Sequence, residues 1–106
     1  MNPQNLRTLG LAYRAGKVVW GLDAVAGAKG QAAVFLLAND AGNAARREAE
    51  RLSAMTGTLL KILPVDKAGL GAALGKPPCA VAAVTDQGFA RSILTLPDIG
   101  GNPPVS

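Results

Sequence analysis

The spacing of apolar residues along this chain switches repeatedly between a helical and an extended period. Leu6, Leu9, Gly10 and Tyr13 follow the i, i+3, i+4, i+7 pattern of one helix face. Asn2-Pro3 supplies its start, an N-cap followed by proline at the first helical position, and Gly16 its end. Gly10 lowers helix stability, so a close helix–sheet contact is expected there. Lys17 to Trp20 then reads as a short strand, its apolar part Val18 to Trp20. A second helix opens at Gly21 and runs from Leu22 to Lys29, before a turn at Gly30.

Ala33 to Ala38 (AVFLLA) is an uninterrupted apolar run, the mark of a central strand covered on both faces. Asn39-Asp40 is expected as turn and N-cap of a helix from Ala41 to Thr56. That helix turns Ala45, Ala49, Leu52 and Met55 inward, and Gly57 ends it. Arg46 and Glu50 stand at pairing distance on its outer face. Leu59 to Val65 reads as a strand, Asp66 caps a short helix to Leu74, and Gly75-Lys76-Pro77-Pro78 forms a loop. Val81 to Thr85 is the last strand, and Asp86 caps a final helix to Leu96. Alternating strands and helices predict an α/β fold, a three-layer α/β/α sandwich around a sheet of about four strands.

Length and composition narrow the class. A chain of 106 residues suits one domain over 1–96, followed by a loose Pro- and Gly-rich tail over 97–106. The longest apolar run, Ala32 to Ala38, is far too short to cross a bilayer, and no charged-then-apolar signal segment opens the chain. A soluble cytoplasmic protein with no membrane partner is expected. A single cysteine, Cys79, excludes a disulfide within the chain. Eleven basic residues against seven acidic ones leave a net charge of +4, which favours a polyanionic partner.

The catalytic and cofactor classes find little support. Histidine is absent, which removes the commonest acid–base catalyst and metal ligand together. Asp23, Asp40, Asp66 and Asp86 each stand near a predicted helix start, where capping explains them. Cys79 has no histidine partner and adjoins an apolar strand, as a small buried hydrophobe does. Gly69 to Gly75 (GLGAALG) imitates a dinucleotide fingerprint, but Asp66 and Lys67 separate the strand from the glycines and the helix stops at once. A small-residue helix packed close to the sheet accounts for it. No cofactor and no metal is expected.

Binding is the better prospect. The helix start at Gly21 offers unpaired N–H groups and a positive dipole end for an anion, with Arg14 and Lys17 close in sequence. Together with Asn39-Asp40 and the loop Gly75 to Cys79, it is expected to form one edge of the sandwich, where loops concentrate binding.

Four blocks, LGLAYRAGKVVWG, VFLLANDAGNAARRE, AGLGAALGK and VAAVTDQGFA, resemble in order and spacing those of the bacterial YlxQ-like proteins. These belong to the ribosomal protein superfamily of L-seven-Ae and L-thirty-e type, many of whose members bind kink-turn RNA. The resemblance covers about Leu6 to Leu96. It implies a mixed four-stranded sheet, no enzymatic activity, structured RNA (ribosomal or another kink-turn RNA) as partner, and association with the ribosome or a translation factor.

The family's base-reading helix maps onto Gly21, Leu22, Asp23 and Ala24, with its lysine position at Gly27. Gly21 is kept and Asp23 can accept from a guanine edge, whereas Ala24 and Gly27 offer only backbone. Ala38-Asn39-Asp40 corresponds to the family's Ala-Glu-Asp turn. Lys76, Pro77, Pro78, Cys79 and Ala80 resemble the loop that walls off bulged nucleotides. Lys17, Lys29, Arg46 and Lys76 are the candidate phosphate partners. The departures at Ala24 and Gly27 keep open a second reading, a protein-interaction module on the same fold.

Overall fold

The computed structural model describes residues 3–95. The expected cap at Asn2, the side chain of Leu6, and the end of the last helix with its tail (96–106) lie outside the described residues. The elements are α1 (Pro3–Arg14), β1 (Val18–Trp20), α2 (Leu22–Gly27), β2 (Val34–Leu37), α3 (Asn43–Thr56), β3 (Leu60–Ile62), α4 (Lys67–Leu74), β4 (Val81–Val84) and α5 (Gln87–Thr95). A single 3-10 turn, Lys29–Gln31, joins α2 to β2, so α2 ends two residues before the expected Lys29.

The sheet is mixed, in the order β1-β4-β2-β3. β4 runs antiparallel to both β1 and β2, with Val18 opposite Val84 and Leu37 opposite Val81. β2 and β3 are parallel, Phe35 opposite Leu60. Because side chains alternate along a strand, β2 feeds two cores. Val34 and Leu36 join Leu9, Ala12, Leu70, Leu74 and Ile93 beneath α1, α4 and α5. Phe35 and Leu37 join Val25, Ala49 and Leu52 beneath α2 and α3. All four β2 side chains are fully buried, each contributing roughly 1.5–3 kcal/mol. This is the three-layer arrangement the apolar run predicts.

Several local expectations change. Gly10 meets a helix rather than the sheet: a Cβ there would stand 3.0 Å from the Ala73 carbonyl oxygen, so its bareness brings α1 against α4. Asn39-Asp40 does not cap α3, which starts at Asn43 behind Gly42. Met55 is 54% exposed rather than inward. About three turns on from Ala45, at 3.6 residues per turn, Met55 has drifted off the buried stripe, and Thr56 stands partly buried in its place. The expected Arg46–Glu50 pair is replaced by Arg51, which donates to both carboxylate oxygens of Glu48 at 2.9 and 2.6 Å. β3 is shorter than Leu59 to Val65: it pairs with β2 over Leu60–Ile62 only, and beyond it the Asn39 N–H passes over Leu63 to the Val65 carbonyl at 2.8 Å, which ends the regular ladder.

Gly71 in α4 and Gly75 just past it serve the loop that follows, not the sheet, whereas Gly69 sits against Val65 and Asp66 at the helix start. Gly75 adopts a left-handed conformation (φ +70°) and ends the helix. The Lys76 N–H then donates back to the Gly71 carbonyl at 2.9 Å, and the chain folds over α4 so tightly that a Cβ on Gly71 would overlap the Pro77 carbonyl. Gly71→Ala is therefore expected to cost about 1–3 kcal/mol in urea unfolding. Gly27→Ala, on an open surface, is expected to gain about 0.5–1 kcal/mol. Equal effects of the two changes would contradict the packed loop.

Candidate functional site

The strand directions bring the C-terminal ends of β1, β2 and β3 and the start of β4 to one end of the sheet. Four segments meet there and are tied by backbone bonds. The Gly21 N–H donates to Val81 O at 3.0 Å, Ala38 N–H to Ala80 O at 2.8 Å, Asn39 N–H to Val65 O at 2.8 Å, and Cys79 N–H to Lys67 O at 3.1 Å. Of the residues expected to bind, this end gathers Gly21, Leu22, Asp23, Asn39, Asp40, Lys76, Pro77, Pro78 and Ala80. Arg46 stands exposed on the first turn of α3, beside them in the fold.

Gly21 opens α2 with φ +90°, a conformation that suits only glycine, and no side chain caps the helix. Its own N–H is committed to Val81 and is not available to an anion. Asp23, Ala24 and Gly27 are exposed along the outer face of α2. Lys17 is elsewhere: it precedes β1 and its carbonyl accepts the Thr85 N–H at 2.8 Å, at the opposite end of the sheet. Lys29 lies in the turn entering β2, also toward that far end. Spacing along the chain put both near Gly21, but β1 and α2 each carry the chain away from it.

Carboxylates do structural work at both ends of the sheet. Asp66 caps α4 by accepting the Gly69 N–H at 2.7 Å, and Asp86 caps α5 by accepting the Phe89 N–H at 2.9 Å. Asp40, expected to cap α3, instead accepts the Lys67 N–H at 2.8 Å from 27 residues away. Two carboxylates thus hold the start of α4, and the turn after β2 is latched to it. Among the described residues, no three His, Cys, Asp or Glu side chains gather to hold a metal ion, and no helix is long and apolar enough to cross a membrane.

Cys79 has its side chain in the core, only 6% exposed, so it contributes backbone rather than thiol to this end. Burial pushes the thiol above its ordinary range, against a weak contact from Sγ to the Val81 carbonyl at 3.9 Å. Lys76 is partly buried, its Nζ 5.5 Å from the centre of the Tyr13 ring and 5.8 Å from that of Trp20. Each such contact is worth about 0.5–1 kcal/mol at a partly exposed site. Tyr13, Trp20 and Lys67 were placed in elements by the sequence but were not among the residues expected to bind. The signal available was Trp20 itself, a large aromatic placed directly before a strand-ending glycine.

No protein-family model matches the chain. It is 39% identical over 93 residues to the RNA-binding protein YlxQ of Bacillus subtilis, spanning 85% of this chain and 91% of that protein. The chain belongs to the YlxQ family. Among solved structures, a protein of unknown function from Bacillus halodurans superposes with a TM-score of 0.81 at 29% identity, over 88% of this chain and 95% of that one. The 15.5kD RNA-binding protein of Giardia lamblia shares the fold, with a TM-score of 0.69 at 15% identity over 89% and 85% of the two chains. The YlxQ-family chain therefore has the mixed-sheet sandwich of the L-seven-Ae type.

Two outcomes check this geometry. Asp40→Ala is expected to lose about 0.5–2 kcal/mol, the scale of a lost cap, and to speed hydrogen exchange at the Lys67 amide; unchanged exchange would remove the latch. Native Cys79 is expected to resist iodoacetamide until urea unfolds the protein. Its raised folded pKa means that its contribution to stability is complete below the unfolded thiol value, about 8.5, and is lost as pH rises through the folded one. Measured against Cys79→Ala, stability should fall only on the alkaline side.

Proposed function

We propose that this YlxQ-family chain is a non-catalytic RNA-binding protein that holds a structured, kink-turn-like RNA on the end of the sheet where four segments converge. The observation that carries the reading is the tying of α2, the Asn39-Asp40 turn and the Lys76–Ala80 loop into one rigid end, on a chain with an RNA-binding relative at 39% identity. Pro77 and Pro78 are exposed and form an apolar wall. Arg46, Lys67 and Lys76 supply cations for phosphate. Asp23 stands exposed where it can accept from a guanine edge. The work of such a protein belongs to the cytoplasm, on the ribosome or another translation component. The described residues form the whole of one binding domain in this reading.

A second reading follows from the outer face of α2. Ala24 and Gly27 are exposed and carry no polar side chain, so the same end can serve as a protein-interaction surface without base recognition. A lost base-directed cation removes roughly 1–3 kcal/mol of discrimination, on the scale for DNA bases.

Titrating the chain with a kink-turn RNA, and with the same RNA lacking its G·A pairs, separates the two. Discrimination between the RNAs supports the first reading, and equal weak binding at low salt defeats it. Gly27→Lys is expected to tighten the kink-turn complex about fivefold or more, on the 1–3 kcal/mol scale above, because nothing lies within 4 Å of a Cβ at that position. No gain would refute the assignment of this helix to base reading.

A further inference from the structure

The charges of this fold are segregated by layer. α1, α4 and α5 contain no aspartate or glutamate, while Arg7, Arg14, Lys67 and Arg91 lie on them. The two carboxylates at their borders, Asp66 and Asp86, are turned to backbone N–H groups. The opposite layer mixes Asp23, Glu48 and Glu50 with its arginines. A helical layer with cations and no helical carboxylate favours a polyanion along its length.

Within that layer a cleft of about 300 Å³ opens between α1 and α4, lined by Gly10, Tyr13, Arg14, Ala72, Ala73, Leu74 and Gly75. A smaller hollow of about 160 Å³, bordered by Arg7 and Leu11, shares the Gly10, Arg14 and Ala73 walls. The groove exists because Gly10 and Ala73 let the two helices approach without side chains between them. Its floor is bare, its rim carries one aromatic ring, and exposed Arg7 and Arg14 stand one above the other, two turns apart on α1. Apart from Tyr13 and Arg14, which the ring stack and a phosphate would occupy, no lining side chain is polar, so no side chain is left over to select a base.

We infer that the α1–α4 groove is a second RNA-contact site, which takes an unpaired nucleotide of single-stranded RNA without sequence preference. The base lies against Tyr13, and the flanking phosphates pair with Arg7 and Arg14. An aromatic ring beside cations is the combination that binds single strands, since every base has a face to stack. Lys76 links the groove to the sheet end, its ammonium lying over both Tyr13 and Trp20. A strand leaving a structured RNA there has a continuous path into the groove. The inference takes its ligand class from the RNA-binding reading, but its contacts are Arg7, Tyr13 and Arg14, none of them used there, and Lys76 alone borders both sites.

The test uses the full chain with decauridylate as the single-stranded probe, followed by amide shifts and a salt series. Decauridylate is expected to move the amides of Gly10, Tyr13, Arg14 and Gly75. Tyr13→Leu should weaken it at least about fivefold, the lower end of one lost base stack. Arg7→Gln and Arg14→Gln, both exposed and mild, should each lower the log–log salt slope by about 0.7 while leaving a kink-turn RNA without single-stranded ends bound as before. Shifts confined to the Gly21 and Asn39 segments, or arginine variants that bind decauridylate like the parent, would overturn the groove. So would an absence of binding, which would leave this face to an acidic protein. Decauridylate in the groove of a chain that ignores kink-turns would instead support the inference and refute the sheet-end reading.

Discussion

A strand buried on both faces has no side chain to offer a ligand, and β2 and β4 are both of this kind. Val34 to Leu37 and Val81 to Val84 turn every side chain into one core or the other. Both faces must then be covered by helices, which is why the sandwich has three layers. The same constraint decides where function can reside. Polar side chains are kept out of these two strands and left to the strand ends, the edge strand with Lys61, and the outer faces of the helices. At one end the loops are short and bonded to one another, so a binding surface there is stiff before any ligand arrives. Stiffness of this kind reduces the ordering cost of binding.

Much of this was legible in the sequence because it is local. The run AVFLLA announced a two-sided strand, and Asp66 and Asp86 announced helix starts that they do cap. The fold class followed from alternation alone, whereas the mixed character of the sheet came only with the family resemblance and its strand order only with the structure. What could not be read was which distant segment answers each local feature. Asp40 looks like a cap for the next helix, yet its carboxylate is taken by the Lys67 amide. Gly10 signals close packing without saying against what.

The candidate site was legible to a similar depth. Gly21, the Asn39-Asp40 turn and the Lys76 loop were grouped correctly because each adjoins a strand end. Lys17 and Lys29 were misplaced because nearness along the chain was taken for nearness in space. Cys79 was read both as a core residue and as part of the loop wall, and the fold keeps its thiol for the core and its backbone for the loop. The cluster of Lys76 with Tyr13 and Trp20 joins three elements, and no periodicity carries information of that sort.

β4 has one further consequence, for the order in which the fold is assembled. Among the described residues it is the last strand, yet it lies between β1 and β2, and β1 has no other partner there. During synthesis from the N-terminus, β2 and β3 can pair early, while β1 waits with both edges open until Val81 to Val84 have left the ribosome. Sheet closure is thus a late, non-local event, of the sort that folds slowly and leaves apolar edges uncovered in the interval. A nascent chain interrupted before Val81 would hold almost all of its helices and none of its central pairing.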